Sequence, residues 1–188
     1  VLNAYDKVCE NGQNPLRLGI VHVQITDRPL LERFTKNDIL ALVQPIFLHY
    51  DTAIVEDRVG RDLAATSYAF KTLMDLGVHT SYGTDSPVED MNPIDNIYCA
   101  VTRKNLRGEP AGGWHPEECV DIYSAIDAYT LESAYASFEE NVKGRLMKGY
   151  FADLVVLSDN IFTVNPDDIR TVKVDATMVN GKFVYQRA

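Results

Sequence analysis

Short apolar runs alternate with segments of helical periodicity through the first half of the chain. Three runs, at residues 18–24, 39–43 and 78–82, are apolar nearly throughout and predict buried β-strands. The residues between them carry apolar side chains at helical spacing, and the longest such segment predicts a helix over residues 57–76. Strands that are buried on both faces and separated by helices are typical of a parallel sheet. The pattern therefore predicts an α/β fold, either a βα barrel or a doubly wound sheet.

The composition of the chain changes near residue 143, and the segments after it are predicted to be strands. Before it, Pro93 opens a helix through Val101, and Asp121 and Thr130 stand where N-caps are expected. We expect residues 1–142 to form the α/β unit and residues 143–188 a small β unit. An Asn180-Gly181 pair predicts a type I′ hairpin in the second unit. Its predicted strands are residues 152–157, 172–179 and 182–185.

Composition and charge narrow the class of protein. The net charge of −9 argues against a nucleic-acid partner, and no apolar run is long enough to cross a bilayer. Three cysteines without metal-ligand spacing predict a reducing, cytoplasmic setting. The chain has no initiator Met and opens at Val1 on a helical repeat without an N-cap, and this helix is expected to end near Asn11-Gly12. We therefore expect a fragment of a longer protein.

Two residues carry the strongest chemical signals. Asp85 follows an apolar run on a glycine-flanked loop, where it is either a catalytic carboxylate or a cap for the following turn. His22 lies in the predicted strand of residues 18–24, where it is either a metal ligand or a core histidine. A His in mid-strand and an Asp on a neighbouring strand are typical of metallohydrolases.

Other residues are candidate substrate contacts because of their position relative to His22 and Asp85. Gln24 shares a strand face with His22, and His49 follows the second strand, so both are candidate substrate contacts. Trp114 follows two glycines and either walls a substrate pocket or packs on its own protein. His79 stands at a strand start, the wrong end for chemistry in α/β enzymes, and is expected to be structural.

The chain resembles the amidohydrolase superfamily, and within it amidohydrolase family 3, in several separated stretches. Residues 20–24 (IVHVQ) resemble the family's sixth-strand motif, residues 43–45 (VQP) its seventh strand, and residues 83–89 (GTDSPVE) its eighth. The post-barrel loop is matched by residues 100–103 and 112–116, and the following helix by residues 129–130 and 134–136. The tail that re-enters a β-sandwich is matched by residues 143–157.

This resemblance implies strands six to eight of a (β/α)₈ TIM barrel, followed by C-terminal strands of a β-sandwich. It implies a hydrolase of carbon–nitrogen bonds that uses a divalent metal, with zinc expected, to lower the pKa of water and polarise the scissile carbonyl. Asp85 would take the proton of that water and return it to the leaving nitrogen. His22 matches a residue that ligates metal or hydrogen-bonds substrate, and a small amide-type molecule is the implied substrate.

The resemblance also leaves ligands unaccounted for. The family's first-strand H-x-H, the ligand between strands four and five, and the fifth-strand His have no counterpart here, and Val21 stands where a Glu is usual. His22 and Asp85 supply two ligands at most, so we expect this chain alone to hold zinc weakly and to be inactive. The alternative is a non-catalytic α/β fragment that self-associates or pairs with the missing N-terminal half. A Rossmann unit is disfavoured because no G-x-G-x-x-G follows a strand.

Overall fold

A computed structural model of the protein describes residues 1–9 and 12–188. The first helix, α1, covers Leu2–Tyr5. Its predicted end at Asn11-Gly12 falls partly outside the described residues.

The first sheet consists of three short parallel strands: β1 (Gly19–Val21), β2 (Leu40–Val43) and β3 (Thr80–Tyr82). Their order is β1-β2-β3, with Gly19 opposite Leu40 and Ala41 opposite Thr80. The parallel pairing predicted from the apolar runs is confirmed. However, β1 and β3 lie on opposite sides of β2, so His22 and Asp85 do not follow neighbouring strands.

The first strand is shorter than predicted because its chain direction changes at His22. His22 and Val23 adopt left-handed backbone conformations, with φ of 75° and 47°. Residues other than glycine rarely adopt this left-handed region, and β-branched residues adopt it least of all. The prediction of His22 in mid-strand is therefore wrong: the residue stands just beyond the carboxyl end of β1.

The predicted long helix over residues 57–76 is also wrong. Gly60 (φ 80°) and Tyr68 (φ 52°) interrupt it, so the segment forms parts of three short helices. The α-helices after α1 are α2 (Arg28–Lys36), α3 (Leu48–Asp51), α4 (Val55–Val59), α5 (Arg61–Ala64), α6 (Phe70–Asp75), α7 (Pro93–Thr102), α8 (Ile122–Tyr129) and α9 (Leu131–Ala136), and 3-10 helices cover Pro45–Phe47, Pro116–Glu118 and Pro166–Thr171.

One of the two predicted N-caps is present in the structure. Asp121 caps α8 by accepting hydrogen bonds from the backbone N–H groups of Tyr123 and Ser124, as predicted. Thr130 precedes α9, but its hydroxyl donates back to the Ile126 carbonyl and caps nothing.

The second sheet is antiparallel and consists of β4 (Leu154–Leu157), β5 (Val174–Val179) and β6 (Lys182–Gln186) in that order. Asn180 and Gly181 join β5 to β6 with φ of 49° and 75°. Positive φ at both central residues is the signature of a type I′ turn, so the predicted hairpin is confirmed.

The main core packs the first sheet against the surrounding helices. Leu31 and Phe34 of α2, Leu73 of α6 and Cys99 of α7 are buried there with Val43 of β2. Within the described ranges, no helix is long and apolar enough to span a membrane.

Candidate active site

The carboxyl ends of the three parallel strands bring polar side chains to one edge of the sheet. His22 follows β1, Gln44 follows β2 and Asp85 follows β3. Since His22 and Asp85 are two strand spacings apart, roughly 10 Å separates the ends of their strands. The carboxyl edge is where parallel α/β proteins place their sites.

His22 is oriented by the residue that follows β2. Its Nδ1 lies 2.8 Å from Gln44 Oε1, while Gln44 Nε2 donates to the Leu42 carbonyl at 3.3 Å. Because an amide oxygen only accepts, this hydrogen bond assigns the ring proton to Nδ1 and leaves the Nε2 lone pair free. The half-buried imidazole therefore suits either a metal or a substrate N–H donor.

Asp85 is exposed at the edge of the sheet, in a left-handed conformation with φ of 58°. Its backbone carbonyl accepts from Val88 N–H at 2.8 Å. Within residues 1–9 and 12–188, no protein group hydrogen-bonds its carboxylate. An exposed carboxylate with both oxygens free can exchange a proton with water or substrate.

A buried amide holds the loop that carries Asp85. Asn96 of α7 is fully buried; its Nδ2 donates to the Gly83 carbonyl at 3.1 Å, and its Oδ1 accepts from Ile46 N–H at 2.6 Å. Gly83 N–H also donates to the Val43 carbonyl at 3.1 Å. Asn96 thus connects the segments that follow β2 and β3.

Gln24 belongs to a hydrogen-bonded group with Asp51 and Tyr68. Gln24 Nε2 lies 3.1 Å from Asp51 Oδ2 and 3.2 Å from the Tyr68 hydroxyl. The Tyr68 hydroxyl donates to the same Asp51 oxygen at 2.6 Å. Burial, followed by the nearby Asp51 carboxylate, raises the pKa of Tyr68 far above its ordinary value, so the phenol stays protonated and donates.

His49 and Trp114 make contacts within the protein. His49 Nδ1 accepts from Leu106 N–H at 3.1 Å, and its ring is half-buried. Trp114 is 8% exposed and packs edge-on against Tyr68 at 6.0 Å. The substrate contacts expected of these two residues stay predictions. His79, expected to be structural, pairs with Glu132 at 2.7 Å at the amino end of β3.

The donor types present fit part of a metal site. The free Nε2 of His22 and the carboxylate of Asp85 are groups that zinc accepts as ligands. Among the described residues, no three His, Cys, Asp or Glu side chains stand close enough together to hold an ion. The described residues therefore supply two ligands, fewer than the three protein ligands of a typical catalytic zinc site.

Comparison with known proteins places this arrangement in a family. The profile described as the amidohydrolase family matches residues 1–185. The chain is 34% identical, over its whole length, to the Bacillus subtilis (strain 168) protein YtcJ, which is named as an amidohydrolase, and covers 35% of it. It is 28% identical to the N-substituted formamide deformylase of Arthrobacter pascens, over 64% of this chain and 22% of that protein.

A solved structure agrees with the sequence matches. A metal-dependent hydrolase from Pyrococcus horikoshii OT3, itself uncharacterized, superposes with a TM-score of 0.74 and 26% identity, covering 88% of this chain and 32% of that one. The chain belongs to the amidohydrolase family. It spans about a third of the length of the curated relatives that it matches first.

Several residues of this edge were missed by reasoning from sequence. Gln44, Asp51, Tyr68 and Asn96 stand in the site or directly behind it, and none was selected as a candidate. The signal for Gln44 was present, because it forms part of the VQP stretch at the end of a predicted strand. Asp51 and Tyr68 carried no comparable signal, since their meeting with Gln24 depends on how the chain folds after β2.

Proposed function

We propose that this chain carries the strand six to eight portion of a TIM-barrel amidohydrolase, with β4, β5 and β6 as C-terminal strands of a β-sandwich. The division near residue 143 follows from this assignment. The parent protein would hydrolyse an amide-type carbon–nitrogen bond of a small molecule. One observation carries the proposal: His22 and Asp85 stand at the carboxyl edge of a parallel sheet in a chain of the amidohydrolase family.

Asp85 performs proton transfer in this proposal. Its exposed carboxylate takes a proton from the attacking water and later gives it to the leaving nitrogen, so one group serves as base and then as acid. A divalent metal, expected to be zinc, would lower the pKa of water and polarise the scissile carbonyl when bound. The Pyrococcus horikoshii neighbour is described as metal-dependent, which supports a divalent ion in general.

His22 and the polar residues beside it would bind the metal or the substrate. The hydrogen bond from Nδ1 to Gln44 keeps His22 Nε2 available to a metal or to a substrate N–H. Gln24 would hydrogen-bond the substrate, and His49 and Trp114 stay predicted substrate contacts. An N-acyl or N-formyl amine is the proposed kind of substrate, by analogy with the formamide deformylase among the relatives.

An association role is the second candidate. β1 and β3 are the open edges of the first sheet, and Val21 at one edge is 53% exposed. Unpaired strand edges favour pairing with a second copy or with the remainder of a barrel.

Free Cys9, Cys99 and Cys119 support the proposed cytoplasmic setting.

An activity measurement on one variant tests the catalytic proposal. In the protein expressed from its complete reading frame, Asp85→Asn is expected to lower the rate of N-acyl amine hydrolysis by about 10³-fold. Asparagine tolerates the left-handed backbone, so the fold should survive. Asp62→Asn, an exposed change on α5, is the matched control and should keep full activity. An Asp85→Asn protein with unchanged turnover would contradict the assignment.

A further inference from the structure

Arg103 is a cation buried without an anionic partner. The residue is 0% exposed and ends α7 in a left-handed conformation with φ of 57°. Burial lowers the pKa of its guanidinium to about 10, so it remains charged near neutral pH. Among the described residues, no carboxylate stands within salt-bridge distance. A buried charge of this kind is costly unless other groups stabilise it.

Backbone carbonyls and aromatic rings take the place of a counter-ion. Arg103 Nη1 donates to the Tyr68 carbonyl at 2.7 Å, and Nε donates to the Trp114 carbonyl at 3.0 Å. The guanidinium carbon lies 5.1 Å from the Trp114 ring centroid and 5.6 Å from that of Phe70. Arg103 therefore holds the backbone of Tyr68 against the core.

Tyr68 transmits this restraint to the candidate site. Its backbone is left-handed, and its N–H donates to the Gln24 carbonyl at 2.8 Å. Its hydroxyl contacts both the Gln24 amide and Asp51 Oδ2. One residue thus holds Gln24 by main chain and side chain together, and a strained conformation at such a position is typical of functional sites.

One carboxylate oxygen of Asp51 is available to accept a further hydrogen bond. Both of its hydrogen bonds go to Oδ2, and the described residues provide no partner for Oδ1 on this half-buried side chain. Asp51 lies in the helix that follows β2 and touches Gln24, which follows β1. Burial raises the pKa of Glu89, which follows β3, while the charge of His49 lowers it and the charge of Asp51 raises it.

We propose that Asp51 is a specificity-determining residue that accepts a hydrogen bond from an ammonium or N–H group of the substrate, away from the scissile bond. Tyr68, held by Arg103, is the positioning residue that fixes the Asp51 carboxylate. The negative charge of Asp51 favours a cationic group over a neutral one. This inference rests on the proposed hydrolase function and adds a substrate class to it.

A matched pair of substrates tests it. The complete protein is given N-acyl-1,4-diaminobutane and N-acylpentylamine, which share an acyl group and differ only in a terminal ammonium or methyl group. The wild type should prefer the ammonium member by about tenfold or more in kcat/KM, mainly through KM. Asp51→Asn should reduce the preference to about twofold or less. Tyr68→Phe should reduce it partly, and the double variant should fall no further than Asp51→Asn alone.

Two control variants and four outcomes test the inference. Asp62→Asn and Tyr123→Phe make the same chemical changes at exposed sites and should keep the wild-type preference. A wild type that hydrolyses both substrates without preference, or an Asp51→Asn protein that keeps the preference, would overturn the inference alone. Equal loss of kcat for both substrates in Tyr68→Phe would also overturn it, because that pattern indicates general disruption. A wild type inactive on both would overturn the proposed hydrolase function as well.

Discussion

Left-handed residues follow two of the three parallel strands. His22 and Val23 follow β1, and Asp85 follows β3, all with positive φ. Such conformations cost about 1–2 kcal/mol each for ordinary residues and persist only where the surroundings fix them. Both candidate site residues, His22 and Asp85, therefore stand on strained backbone, which the hydrogen bonds of Gln44 and Asn96 help to hold.

Glycine at position 113 is required for a steric reason that its neighbour does not share. Both Gly112 and Gly113 have positive φ, but a Cβ on Gly113 would lie 2.3 Å from the Thr102 carbonyl oxygen, whereas one on Gly112 meets nothing within 4 Å. We expect Gly112→Ala to cost about 1–2 kcal/mol and Gly113→Ala about 3 kcal/mol more. Urea unfolding measures both, and equal losses would contradict the close approach.

Elements far apart in sequence are joined at the amino edge of the first sheet. Arg17, ahead of β1, makes a bidentate ion pair with Glu140, beyond α9, with contacts of 2.5 and 2.8 Å. Its guanidinium stacks over the rings of Tyr135 and Phe138, at 3.8 and 4.2 Å from their centroids. The pair therefore fixes the segment after α9 to the sheet.

This ion pair predicts a pH dependence of stability. The hydrogen bond from Arg17 lowers the pKa of Glu140 from 4.5 to about 2. A carboxyl group whose pKa is lowered on folding stabilises the protein above its unfolded pKa and loses that effect as pH falls through the folded value. Glu140→Gln should lower the urea midpoint near neutral pH, and its difference from wild type should shrink between about pH 4.5 and 2.

The control for this measurement is Glu56→Gln. Among the described residues, Glu56 pairs only with Arg61, at 3.7 Å on an exposed surface. Its loss should matter little, since exposed ion pairs contribute little to stability. A Glu140→Gln protein whose deficit is the same at every pH would contradict the ion-pair explanation.

Prediction from sequence was accurate where local patterns decide the structure. Apolar runs predicted the three parallel strands, and Asn180-Gly181 predicted the hairpin, because both depend on neighbours in sequence. The helix over residues 57–76 failed because apolar spacing does not register the left-handed positions at Gly60 and Tyr68. Asp51 joined the site only through contacts with Gln24 and Tyr68, which spacing along the chain does not encode.

The whole molecule combines a parallel sheet, whose carboxyl edge carries the candidate site, with a separate antiparallel sheet. The family match extends over residues 1–185, although the chain covers about a third of its first relatives. His22 and Asp85 supply two ligands, and a catalytic zinc site takes about three from the protein.

Removal of the metal shows whether hydrolysis depends on a bound ion. The protein expressed from its complete reading frame is assayed for hydrolysis of an N-acyl or N-formyl amine before chelation, after chelation confirmed by elemental analysis, and after zinc is added back. We predict that hydrolysis is lost with the metal and returns with it, because a bound ion would lower the pKa of the water whose proton Asp85 takes. Undiminished hydrolysis by the metal-free protein would contradict the proposal that hydrolysis depends on a metal.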